Sequence, residues 1–88
     1  MMNNESGQYR IVTVGNDKKF KYLSNFNVFA DEQEYSENEK EALVIEGRKT
    51  SKVLASLLYR DLTRVDPCVV VKTEIAVPDG WETADIWV

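Results

Sequence analysis

The side chains in this sequence that could do chemistry are carboxylates, and they are clustered. Seven of the sixteen residues from Asp31 to Glu46 are Asp or Glu, against one Lys. Paired carboxylates can act as general acid and base when their surroundings push their pKa values apart. From Asp31 to Glu41 they fall in a polar stretch with little apolar surface to desolvate one of them, and a solvated face is the reading that charge runs favour. The D-x-[DN]-x-[DN]-G spacing of a calcium loop is absent. The chain also has no histidine, the side chain that most readily moves protons near neutral pH and most often ligates metals. Its one cysteine, Cys68, follows a proline and has no base to make a thiolate. It is expected as a small buried side chain, with an oxidation-sensitive surface thiol as the second reading. Gly47-Arg48-Lys49-Thr50 lacks the upstream glycine and the Gly-Lys-Ser/Thr order of a phosphate loop. No catalytic residue, metal or cofactor is expected. These residues point to contact, not to turnover.

The elements that must carry those acids follow from periodicity. Tyr9 to Val14 is rich in β-branched residues and stops at Gly15-Asn16-Asp17. A second strand follows over 18–30. Phe20, Tyr22, Phe26 and Val28 share one parity, opposite Lys19, Lys21, Asn25 and Asn27. Phe20 and Tyr22 are therefore expected in the core, and Leu23 and Phe29 break the pattern, which suggests a bulge or a split of the strand near Ser24-Asn25. The two runs read as a β-hairpin.

Asp31 to Tyr35 reads as a polar connection. Ser36-Glu37-Asn38-Glu39 matches a capping box, and the acids at 37, 39 and 41 suit the positive first turn of a helix. Two rows of residues then follow helical spacing, through Leu54 and Leu57 and through Ala55 and Leu58. Gly47 interrupts them at about 1 kcal/mol relative to alanine. Two readings follow: one helix from about 37 to 61, which is preferred, or a short first element and a helix beginning near Ser51. Asp66-Pro67 ends the helix. Cys68 to Val77 is a strand with Val69, Val71, Thr73, Ile75 and Val77 on one face, closed by Pro78-Asp79-Gly80. Residues 79–88 are an edge strand or an arm, and residues 1–8 a frayed tail.

The expected architecture is a single α+β domain over 1–88. A three- or four-stranded, mainly antiparallel sheet packs on one main helix in the order β-β-α-β, with an optional terminal strand. Eighty-eight residues, 43% hydrophobic and 30% charged, suit a small soluble chain with one layer of core side chains. No apolar run is long enough to span a bilayer, and the polar first eight residues carry no signal-peptide segment. A lone cysteine suits the reduced cytoplasm. The net charge of −4 disfavours non-specific nucleic-acid binding and favours basic partners.

Carboxylates spaced along a loop and a helix start can imitate phosphate charges and occupy a basic groove on another protein. Asp31, Glu32, Glu34, Glu37, Glu39 and Glu41 would form that surface, against the plainer roles of capping and solubility. Trp81 and Trp87, with Ile86, are candidate apolar anchors or finish a small core across the sheet. The basic hairpin Lys18, Lys19 and Lys21, with Arg48, Lys49 and Lys52, is the seat of a nucleic-acid alternative. Self-association through 81–88 or a strand edge is a further alternative.

Thr63-Arg64-Val65-Asp66-Pro67-Cys68-Val69 resembles the closing strand of the small podovirus inhibitor of bacterial RNA polymerase. Lys18-Lys19-Phe20 and Glu41-Ala42-Leu43 resemble two further segments of that family, and nothing beyond Val69 matches. The resemblance implies a compact sheet-plus-helix, non-enzymatic protein, phage-encoded and acting in the host cytoplasm, that binds the polymerase through arginines and acids. Arg64 corresponds to one of those arginines; the other is Asp66 here. The expected function is that of a small acidic protein that inhibits or modulates a host nucleic-acid machine, a polymerase or a defence nuclease.

Overall fold

The computed structural model describes residues 7–27, 29–30 and 32–84. Among them, six antiparallel strands form one sheet: β1 (Gln8–Val14), β2 (Phe20–Asn27), β3 (Glu32–Ser36), β4 (Ile45–Glu46), β5 (Val70–Val77) and β6 (Gly80–Thr83). One α-helix, α1 (Arg48–Val65), packs on one face of it, and a short 3-10 turn occupies Glu39–Glu41. The α+β class stands, with a larger sheet than the three or four strands expected. No helix among the described residues is long and apolar enough to cross a membrane.

The strand order is β3-β2-β1-β5-β6. β1 is central because its residues are apolar on both faces: Tyr9, Ile11 and Val12 are all buried. One edge of β1 pairs with β5 from Tyr9↔Ile75 to Val14↔Val70. Its other edge is shared, with β2 taking Val12 to Val14 and β4 taking Gln8 and Tyr9. Gln8 is thus strand and not tail, while residues 1–6 lie outside the described residues.

The shared edge follows from a bulge in β2. Leu23 faces Tyr35 and Asn25 faces Glu34, so Ser24 is the extra residue. The bulge stands where the sequence placed it, and it inverts the expected inside and outside of the first half of the strand. Leu23 is fully buried and Phe26 packs against the same core, whereas Phe20 is 56% exposed. Phe20 and Tyr22 therefore face away from the helix. Val28 lies outside the described residues.

Two expectations between β2 and α1 are corrected. Within the polar connection expected over 31–35, residues 32–35 belong to β3, paired to β2 over Glu32–Ser36; carboxylates on an exposed edge strand hide its period from a search for apolar residues. The capping box does not start a long helix. Ser36 closes β3, its hydroxyl accepts from the Asn38 amide and donates to Glu41, and Asn38 caps the 3-10 turn. The Leu43 amide then donates to the Leu23 carbonyl where β2 leaves β1.

Helix α1 begins at Arg48, closer to the short-element reading, because Gly47 turns the chain at φ 94°. That conformation belongs to glycine. The Ser51 amide and hydroxyl both donate to the Gly47 carbonyl. No acid lies in the first turn, so the helix is held by packing more than by its ends. Ala55 and Leu58 bury against Ile11, Leu23 and Ile45, with Leu43, Leu54, Leu62 and Val71 around them. It ends at Asp66-Pro67, and the expected faces of β5 stand: Val69 and Thr73 are buried, Val70 exposed. Cys68 is exposed, contrary to the buried role preferred for it, because it sits in the turn before β5.

Candidate protein-binding face

The helix covers one side of the sheet, and the other side carries the candidate site. Alternation from the core residue Ile11 places Arg10, Val12 and Val14 on the helix-free face. Through the register, Phe20 and Tyr22 of β2, Lys72 and Glu74 of β5, and Trp81 and Thr83 of β6 share it. On β3 the alternate side chains face the helix: Tyr35 joins the core and Gln33 donates to Asp61 at 3.3 Å. Glu32 and Glu34 are thereby directed to the helix-free face, and both are exposed.

Arg10 organises this face. Its residue exposure is only 6%, unusual for a side chain that always carries its charge. The guanidinium lies 4.8 Å from the Tyr22 ring centroid and 4.5 Å from that of Trp81. Its Nε donates to Glu74 at 2.7 Å, and Nη1 stands 3.6 Å from a Glu39 oxygen. A desolvated charge this close to two π-faces and two carboxylates is compensated. Four elements are thus tied to the central strand: β2, β5, β6 and the 3-10 turn. The sequence reading missed this residue. Its signal was an ionisable side chain inside an apolar, β-branched run.

The other sequence-selected residues distribute unevenly. Glu37 is exposed and 3.8 Å from Lys19; Glu39 is exposed and held by Arg10; Glu41 accepts from Ser36. Trp81 is half-buried and lies over Arg10, where it helps to cover the sheet. Arg64 is in the last turn of α1, in the layer opposite Glu32 and Glu34. Asp31, Ile86 and Trp87 lie outside the described residues. Of the hairpin lysines, Lys19 faces Glu37 and Lys21 faces Asp17 at 3.6 Å. The bond from the Lys19 amide holds the Asp17 carboxyl below its ordinary value, and Lys21 adds to that shift.

A cleft of about 380 Å³ opens at the end of the molecule where the β1–β2 turn meets the close of α1. Its walls include Thr13, Lys21, Tyr35, Leu62 and Asp66. The Tyr35 hydroxyl is buried and has no hydrogen-bond partner among the described residues. Burial, and then the charge of Asp61, pushes Tyr35 up to about 12. Among the described residues no group of three His, Cys, Asp or Glu side chains could hold a metal ion.

No known protein family, curated protein or solved structure matches this chain. The string Thr63–Val69 that carries the polymerase-inhibitor resemblance forms the last turn of α1 and the turn after it, and β5 begins only at Val70.

Proposed function

We propose that this chain is a non-enzymatic protein-binding module whose helix-free sheet face contacts a basic surface on a partner. One observation carries the reading. The acids of the exposed edge strand β3, Glu32 and Glu34, share a face with the aromatic residues Phe20, Tyr22 and Trp81. Exposed carboxylates suit ion pairing with a partner rich in Lys and Arg; the rings beside them, already approached by Arg10 and Lys72, offer apolar contact. The same face disfavours single-stranded nucleic acid, because the exposed Glu32 and Glu34 would repel the phosphates that stacking brings close.

Nucleic-acid enzymes carry basic surfaces that hold phosphates, which makes a host polymerase or defence nuclease a fitting target for a phage-type inhibitor. Self-association through β3 is disfavoured physically, since pairing two copies of this edge brings Glu32 and Glu34 of one close to those of the other.

Affinity capture from host lysate with wild-type protein and with a Glu32→Gln/Glu34→Gln/Glu37→Gln variant tests the proposal. A partner retained by the first and lost by the second is expected. Equal capture by both removes the acidic face from the account.

A further inference from the structure

The acidic total of this chain conceals a strong separation of charge. Helix α1 holds five basic residues, Arg48, Lys49, Lys52, Arg60 and Arg64, against one acid, Asp61. Its net charge is +4 in a chain of −4, so the rest of the molecule carries −8.

The outer side of α1 also exposes apolar residues among its charged ones. Val53 is 59% exposed and Leu57 is 41% exposed. With Phe26 of β2 and Leu54, Lys49 and Thr50 they line a shallow groove of about 430 Å³ between helix and sheet edge. Thr50, Val53, Leu57, Arg60 and Arg64 recur at intervals of three and four, the spacing that forms one seam of a helix pair. That seam turns away from the core side chains Ser51, Ala55 and Leu58. Its centre is apolar, and its carboxyl-terminal end carries two arginines that form no ion pair among the described residues.

We infer that this seam is a second docking surface, distinct from the acidic face, for an acidic amphipathic segment of a partner protein. Two apolar side chains of that segment seat against Val53 and Leu57, and its carboxylates meet Arg60 and Arg64. Charge complementarity selects this occupant. Arginine forms bidentate pairs with carboxylates, and the exposed Val53 and Leu57 match an apolar stripe that a phosphate backbone does not offer. A second copy would have to bring its own acidic face to the helix, a head-to-tail contact that gives rings or filaments and not a two-fold dimer.

The test uses a fluorescein-labelled helical peptide with leucines at i and i+4, followed by glutamates one and two turns on, and its twin with lysines in place of the glutamates. Fluorescence anisotropy at low salt should show the acidic peptide binding and the basic twin not binding. Val53→Glu/Leu57→Glu and Arg60→Glu/Arg64→Glu should each weaken the acidic peptide by roughly tenfold or more. The basic twin should bind the charge-reversed protein, a rescue that a misfolded variant could not give. Failure of the acidic peptide to bind, or equal binding by the charge-reversed protein, overturns the inference. So does self-association of the wild type, read by sedimentation, that Val53→Glu/Leu57→Glu abolishes, because the occupant is then a second copy. Tighter binding of a single-stranded oligonucleotide, lost with Arg60 and Arg64 but indifferent to Val53 and Leu57, overturns it as well. The peptide and oligonucleotide results do not bear on the acidic face, whose variants are elsewhere.

Discussion

The guanidinium of Arg10 lies 4.5 Å from the Trp81 ring centroid, linking the central strand to the edge strand β6 across the helix-free face. Because Tyr22 lies 4.8 Å away and Glu74 accepts at 2.7 Å, this contact is the centre of a small second core. A sheet with only one covered face would leave Val12 wet, yet Val12 is 4% exposed. The charged staple and its aromatic neighbours finish the fold on the side that the helix does not reach.

Removing the staple should be costly. Arg10→Ala leaves Glu74 partly buried without its cation and takes the stacking partner from two rings, a loss on the order of 3 kcal/mol. Arg10→Met, which keeps bulk without charge, should recover part of that loss. Urea denaturation followed by circular dichroism measures both, and an unchanged midpoint for Arg10→Ala would refute the stapling role.

Tyr35 gives a pH signature. Its pKa is raised from 10.0 to about 12 in the folded protein, mainly by burial and then by Asp61. A raised acid binds its proton more tightly when folded, so its contribution is fully present below pH 10 and is lost as pH rises towards 12. Stability should therefore fall across that window, and Tyr35→Phe should flatten the slope. At neutral pH the same variant removes a buried hydroxyl that lacks a partner among the described residues and should be neutral or stabilising by about 1 kcal/mol. Denaturation midpoints at neutral pH and across pH 10–12 check both statements.

Gly47 sets where the helix begins. At φ 94° a side chain is strained, so Gly47→Ala should destabilise by about 1–3 kcal/mol. An interior helical glycine would respond oppositely, with alanine stabilising by up to about 1 kcal/mol. The sign of the change in thermal midpoint therefore distinguishes the observed helix start from a helix running through Gly47.

Much of this fold was legible because its strongest signals are local. The β1–β2 hairpin, the bulge after Leu23, the two faces of β5 and the stop at Asp66-Pro67 all follow from alternation, turn residues and proline sterics. β3 was illegible because Glu32, Gln33, Glu34 and Ser36 give an edge strand no apolar period. Ser36-Glu37-Asn38-Glu39 misled because the hydrogen bonds of a helix cap also suit a tight turn, and only the pairing of 45–46 with β1 decides between them. Half of the bulge's consequence was missed as well: one extra residue moves Phe20 and Tyr22 to the open face while keeping Leu23 and Phe26 inside. For the candidate face, the exposure of the acids was legible and Arg10 was not. Its principal partner Glu74 is 64 residues away, and no spacing rule reaches that far.

The claim on which the account turns is that Glu32, Glu34 and Glu37 meet a basic surface on a partner. The dissociation constant of the captured partner, measured at low and at strongly screening salt for wild type and the triple glutamine variant, tests it most directly. The wild-type affinity should fall roughly tenfold or more with salt, and the variant should bind weakly at both. An affinity indifferent to salt and to the three substitutions would contradict it.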